Sequence, residues 1–305
     1  MKKLFLVAAI FTATSISALA ALDTTKIDNL TGLKGNLNEK EGVYKVTLPR
    51  NDVKVVVDGW IMPPFMGLST WAAFTETKTG AMVMGDTVMF EDEVNPAISA
   101  ALDNGLHVTA LHNHFFFEHP KVFFMHIEGE GDLDKLASAV RKVYDTIKAI
   151  RASNAKPADT FGEEVPGLPE KNSITPGPLD EIFGMHGEVK DGMVKFTIGR
   201  PAEMHGVKID KEMGVNTWAA FAGSDDNAIV DGDFAVAEDE LQPILKSLRV
   251  AKIDIVAIHQ HMTHEAPRIL FFHYWGRGSA KNLAQAIKGA LLVGGLLEVS
   301  SPVQP

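Results

Sequence analysis

Thr70-Trp71-Ala72-Ala73-Phe74 recurs as Thr217-Trp218-Ala219-Ala220-Phe221, an offset of 147 residues. At that same offset, without a gap, Gly85-Asp86 meets Gly232-Asp233 and Glu91-Asp92-Glu93 meets Glu238-Asp239-Glu240. His112-x-His114 meets His259-x-His261, Glu118 and Pro120 meet Glu265 and Pro267, and His126 meets His273. Between residues 70 and 139 the match amounts to 25 identities in 70 positions. Upstream, Lys45, Thr47 and Arg50 align with Lys195, Thr197 and Arg200 at an offset of 150. A repeat of this length at fixed spacing marks a duplicated structural unit and sets the reading of the whole chain.

The expected units run from 28 to 150 and from 179 to 296, with 151–178 between them as an irregular connector. Pro157, Pro166, Pro169, Pro176 and Pro178 crowd into that connector, and proline withdraws a backbone donor wherever it stands. Within the first unit, 43–48, 53–57, 71–75 and 81–90 read as strands, the last interrupted at Gly85-Asp86. Glu91 to Leu102 reads as a helix: acids lead it, which suits the positive end of the helix dipole, and Pro96 is expected near its first turn. His107–Phe115 and Lys121–Glu128 read as a strand pair, closed by a helix over 132–147. In that helix Leu133, Leu136, Ala137, Val140, Val143, Tyr144 and Ile147 keep helical spacing. The second unit ends likewise, with a helix over 280–292. The expected fold class is α+β: a tandem duplication of a unit with an antiparallel or mixed sheet and two helices.

Six histidines hold equivalent places in the two units. Residues two apart on a strand point to one face, so His112 and His114 project together. A hairpin whose paired numbers sum to 238 sets His126 across from His112. The alternating apolar residues Leu111, Phe115, Phe123, Met125 and Ile127 then take the opposite face. The second unit repeats this with His259, His261 and His273. Glu118 and Glu265 follow at His-x-His-x-x-x-Glu spacing, and His264, which replaces Phe117, enriches the second set. The candidate metal ligands are therefore His112, His114, Glu118 and His126, with His259, His261, His264, Glu265 and His273.

Imidazole and carboxylate without thiolate suit a divalent transition metal: zinc, copper, iron or manganese, which the residue types do not separate. If one coordination position stays open, Glu118 and Glu265 are the candidate catalytic bases of a metal-dependent hydrolase or an oxygen-using enzyme. A third class is an envelope ligand-binding or structural module whose histidines bind no metal. Asp86 and Asp233 are read first as members of Gly-Asp turns or bulges, and otherwise as ligands or bases. Trp71 and Trp218 are read as core.

The chain has no cysteine among its 305 residues, which excludes disulfides, thiolate metal sites and cysteine nucleophiles. With 29 basic against 39 acidic residues, neither nucleic acid nor an anionic membrane surface is an expected main partner. The expected partner is a small molecule or metal ion. Lys2-Lys3, the apolar run from Leu4 to Phe11 and the small-residue end Ala18-Leu19-Ala20 have the order of a secretory signal. Cleavage near Ala20 would give a soluble periplasmic or secreted protein, and no other run is apolar and long enough to span a bilayer.

Two resemblances follow from these residues. The His-x-His-x-x-x-Glu spacing resembles the first motif of cupins, but cupins are all-β jelly rolls, so it is read as a shared ligand device only. The duplicated Trp-Ala-Ala-Phe segment, Leu111-His-Asn-His114, Glu118-His-Pro120 and Phe124-Met-His126 resemble the LppY/LpqO family of exported bacterial proteins over nearly the whole mature chain. That resemblance implies an envelope location and a repeat architecture, and no reaction. Its namesakes are lipoproteins; this chain departs from them in having no cysteine to lipidate.

Overall fold

A computed structural model describes residues 22–160 and 167–297; the signal segment expected over 1–20 lies outside the described residues. The first half contains α1 (Thr24–Thr31), β1 (Gly35–Asn38), β2 (Val43–Pro49), β3 (Val56–Val57), β4 (Trp60–Ile61), β5 (Ser69–Thr77) and β6 (Gly80–Phe90). It continues with α2 (Glu91–Asp103), β7 (His107–His112), β8 (Glu118–His119), β9 (Val122–Gly131) and α3 (Leu133–Ser153). The second half repeats the order: α4 (Pro176–Phe183), β10 (Glu188–Lys190), β11 (Met193–Gly199), β12 (Ala202–Met204), β13 (Val207–Ile209), β14 (Asn216–Gly223) and β15 (Ala228–Ala237). It closes with α5 (Glu238–Val250), β16 (Asp254–His259), β17 (Glu265–Ala266), β18 (Ile269–Gly278) and α6 (Ala280–Val293).

The structure is mixed α/β, with antiparallel sheets and six helices among the described residues. Each half has three helices where the sequence suggested two. The additions, α1 and α4, are eight residues long, too short for a clear apolar stripe. Both pack on the closing helix of their own half through Ile27 in α1, and Leu179 and Phe183 in α4. Pro96 and Pro243 sit at the sixth position of α2 and α5, inside the helix rather than in its first turn. No described helix is long and apolar enough to cross a membrane.

Twelve strands form one sheet in the order β1-β2-β5-β6-β9-β7-β16-β18-β15-β14-β11-β10. Period-two alternation gives that sheet two different faces. Val83, Met89, Met125 and Ile127 turn toward the helices and join the main core. Val88, Phe90, Val122 and Phe124 turn the other way, under a small sheet of β4, β3 and β8. Ala235, Ile269 and Phe271 do the same under the small sheet of β13, β12 and β17. Phe115, expected on the helix side, belongs to this second layer instead and meets Phe124 edge-on at 6.0 Å.

The halves meet at the middle of the sheet, where Leu111 of β7 pairs with Ile258 of β16. These two residues are themselves equivalent, being 147 apart, so the seam lies on a pseudo-twofold axis. A bulge after Val108 and another after Ile255 interrupt the ladders β7–β9 and β16–β18. The Gln242 amide of α5 accepts from Val108 N–H at 2.9 Å and donates to Val108 C=O at 2.9 Å. Reciprocally, the Asn95 amide of α2 accepts from Ile255 N–H at 2.8 Å and donates to Ile255 C=O at 3.2 Å. Each half thus satisfies the buried backbone of the other's bulged strand, which a buried peptide group requires.

A second repeated device ties each strand layer to its helix. Arg50 is 3% exposed and grips Glu93, 0% exposed, with two hydrogen bonds of 2.8 and 2.9 Å. Arg200 holds Glu240 the same way at 2.6 and 2.9 Å. In both halves the carboxylate also accepts from the backbone N–H that precedes the helix, that of Phe90 or Ala237, at 2.9 Å.

Candidate metal centre

Strand pairing builds the site. On β15 and β18, Asp233 stands directly opposite His273, and on β14 Trp218 stands directly opposite Asp233. Residues opposed across an antiparallel ladder share a face. Trp218, Asp233 and His273 therefore form a row on the face away from the helices. Ala257 of β16 continues that row, opposite His273, and His259 lies two residues farther along β16. The first half repeats it as Trp71, Asp86, His126 and Ala110, with His112 two residues beyond Ala110.

The histidine register differs from the expected one. Paired numbers at the end of the β7–β9 ladder sum to 236, so Phe124 lies across from His112 and His126 across from Ala110. A two-residue shift preserves the facing of every side chain, and the histidines still converge. His112 stacks against His126 with centroids 5.1 Å apart and against His114 at 5.2 Å. His259 stacks against His273 at 4.8 Å and lies 4.9 Å from His261. His114 and His261 each lie flat on a phenylalanine of the second layer, Phe124 at 3.4 Å and Phe271 at 3.6 Å.

Asp86 and Asp233 are the site residues that the sequence reading set aside. They lie mid-strand in unbroken β6 and β15, 9% and 3% exposed, not in turns. The preceding glycine is explained by packing. A Cβ on Gly232 would fall 2.2 Å from the Tyr274 hydroxyl, which donates to Trp218 C=O across the strand at 3.0 Å. Gly85 similarly abuts Trp71 C=O and Ile127. Trp71 and Trp218, expected in the core, are half-buried on the open face, with Lys45 4.0 Å and Lys195 4.4 Å from their ring centres. The repeated Gly-Asp at a fixed distance from the histidines was the signal that marked the aspartates.

The tightest grouping is in the second half. Ligand atoms of Asp233, His259 and His261 all lie within 4.8 Å of one another. His259 and His261 approach Nε2 to Nε2 at 3.0 Å, and His261 Nε2 is 3.5 Å from Asp233 Oδ2. His273 Nδ1 is 3.9 Å from Asp233 Oδ1 and 3.3 Å from Gly232 C=O, which as acceptor would orient the ring. Of the buried polar atoms here, Asp233 Oδ1 and His259 Nδ1 have no hydrogen-bond partner. Asp86 Oδ1 is likewise without one.

The remaining predicted residues stand elsewhere around the clusters. Glu118 and Glu265 lie on the small sheets, paired with Val57 and Met204. Glu265 Oε1 accepts from Ile269 N–H at 3.2 Å, while its Oε2 is buried without a partner. His264 is exposed, has φ of 67°, and faces the ring of His205 at 5.9 Å.

Burial governs the charge states. It pushes the Asp233 carboxyl up to about 6, against the pull of His273, and raises Asp86 as well. It lowers His259 to about 4, helped by repulsion from His273 and His261. His261 and His114 are lowered for the same first reason. Burial thus favours the neutral form of His259, His261 and His114, with lone pairs available, beside a buried carboxylate.

The family model described as Domain of Unknown Function (DUF1259) matches the chain over residues 25–146 and 177–293. No curated protein matches. Two solved structures are similar at low level. The trimeric bacterial microcompartment shell protein PduB is 13% identical, over 85% of this chain and 89% of that one, with a TM-score of 0.20. A double-ringed trimeric shell protein from the RMM microcompartment is 13% identical, over 72% and 83%, also at 0.20. Likeness of that degree bears on neither fold nor function.

Proposed function

The chain belongs to the Domain of Unknown Function (DUF1259) family, whose name assigns no chemistry, and from the site alone we propose that it is an exported divalent-metal-binding protein. Its stronger centre is formed by Asp233, His259 and His261, with His273 adjacent. The carrying observation is the spacing of donor atoms: 3.0 Å between the two Nε2 atoms and 3.5 Å from His261 Nε2 to Asp233 Oδ2. Tetrahedral ligands about 2.1 Å from a cation are about 3.4 Å from one another, so the two edges that meet at His261 Nε2 suit ligands of one ion. The unpartnered, buried Asp233 Oδ1 adds the negative charge that such an ion neutralises. When bound, the metal supplies positive charge and, at an open position, Lewis acidity. The protein holds Asp233 and His259 on strands β15 and β16, and His261 on the loop just beyond β16.

The cluster of Asp86, His112, His114 and His126 is the second and weaker centre of a tandem α+β duplication. The residue types admit zinc, copper, iron or manganese. An enzymatic role is a second reading, favoured by one observation: the buried, unpartnered Glu265 Oε2 at the edge of the stronger cluster's half. Export rests on the basic-apolar-small order of residues 1–20.

Calorimetric titration of metal-free protein with zinc and copper tests the reading. One site is expected to be lost in Asp233→Asn and His259→Ala, while Asp86→Asn leaves it intact. Equal binding by all three variants would remove the proposal.

A further inference from the structure

The two small sheets are built alike and tipped with opposite chemistry. In the first half, Trp60 and Ile61 of β4, Phe65 and Met66 of the turn after it, and Phe116 and Phe117 before β8 are exposed by 54, 55, 98, 54, 84 and 86%. Their equivalents at the 147-residue offset are Val207, Lys208, Glu212, Met213, Thr263 and His264. One tip carries six large exposed apolar side chains, none of them charged, around the turn at Asp58; at the same six places the other carries Lys208, Glu212 and His264.

The exposed tip is held in place. Asp58 and Phe117 both adopt left-handed backbone, with φ of 48° and 58°, although neither is glycine. Asp58 N–H donates to Phe117 C=O at 3.4 Å, so the two turns that present Trp60 and Phe116-Phe117 are joined. Phe115, next in the chain, is anchored inward against Phe124. The chain turns outward beyond it with the aromatic rings fully in water. The equivalent His205 and His264 of the second half share this backbone, with φ of 52° and 67°, so the joined turns belong to the duplicated scaffold and only the side chains they carry differ. Together the side chains of the first tip expose on the order of 800 Å² of surface, most of it apolar.

We propose that this tip is a peripheral membrane contact that enters the headgroup region of a zwitterionic bilayer. Three observations select that occupant. Phe65, Phe116 and Phe117 are nearly fully exposed knobs, the last two on a turn bonded to that of Asp58, and are suited to insertion between lipids rather than to a flat protein interface. Trp and Phe are among the side chains that segments lying in the bilayer interface bury there. The net charge of −10 disfavours an anionic surface, and the six residues themselves supply no charge. Insertion of such a tip is shallow, about 5–10 Å. It tethers one end of the molecule and leaves the charged tip of the second half in water. The inference is independent of metal binding.

Flotation of the purified protein with phosphatidylcholine vesicles tests it, at low and at high salt. The protein is expected to float with the vesicles at both salts, and the triple variant Phe65→Ser/Phe116→Ser/Phe117→Ser to lose at least tenfold of that partitioning. Melting temperature and circular dichroism establish that the variant is folded, and Met213→Ser, on the opposite tip, is expected to float as the parent does. Failure of the parent to float, flotation abolished by salt, or undiminished flotation of the folded triple variant would overturn the proposal. So would light scattering that shows a dimer which the triple variant converts to monomer, since a second copy would then be the occupant.

Discussion

Replacing Gln242 by alanine tests the seam between the halves. The Gln242 amide both accepts from and donates to the backbone of Val108, at 2.9 Å each, and Val108 is 0% exposed. Its truncation leaves one N–H and one C=O buried without partners. Each such group costs about 1–3 kcal/mol, so a loss of roughly 3 kcal/mol is expected. For a chain of this size that lowers the melting temperature by about 5 °C. Asn95→Ala should cost a similar amount, because it strips the same two groups of Ile255, which is 1% exposed. Both amides act across the boundary between halves, so the double variant should also uncouple them, splitting one calorimetric transition into two. Differential scanning calorimetry of the metal-free protein reads all three results. A melting temperature changed by less than 1 °C in either single variant would refute this account of the seam.

Further outcomes follow from the same geometry. Arg50→Met takes two hydrogen bonds from the Glu93 carboxylate, 0% exposed, and leaves it Arg151 at 2.8 Å as its cation, so it should destabilise the protein by about 1.5–3 kcal/mol in urea denaturation; a cost under about 0.5 kcal/mol would contradict the pairing. In metal-free protein, burial raises Asp233 from 3.8 to about 6, so the stability it contributes is complete below pH 3.8 and lost as pH rises through 6. Stability of the parent relative to Asp233→Asn should therefore fall between about pH 4 and 6, and a flat difference would remove the shift. His259, lowered from 6.5 to about 4, acts oppositely: its contribution is complete above pH 6.5 and lost as pH falls through 4. Denaturant titrations of His259→Gln beside the parent should show the parent's advantage shrinking over that range. Gly232→Ala, whose Cβ would meet the Tyr274 hydroxyl, should displace Asp233 and weaken zinc at least tenfold in calorimetric titration, while Gly289→Ala, in α6 with open space around it, should not.

The duplication, the convergence of histidines and the two main helices of each half were legible because they rest on period and repetition. Alternation on β9 placed Met125 and His126 on opposite faces whatever the register, which is why an error of two residues did no harm. What stayed hidden depended on partners remote in sequence. Gly232-Asp233 reads locally as a turn; only Tyr274, lying across the strand, explains the glycine, and only His261 and His273 give the aspartate a purpose. Trp71 reads as core until Lys45 is found over its ring. The helices α1 and α4 were missed because their apolar residues are too few to set a period, and Phe115 because the chain leaves the β7 ladder after His112. Glu118 and Glu265 were placed by linear spacing alone, and that spacing did not foretell that their strands pair into the small sheets.

Crystals of the protein soaked in zinc, with anomalous diffraction recorded above and below the zinc absorption edge, test the central claim most directly. The account predicts an edge-dependent peak about 2.0–2.2 Å from Asp233, His259 and His261 ligand atoms, stronger than any at Asp86. Full occupancy elsewhere, with these three side chains free of metal, would contradict it.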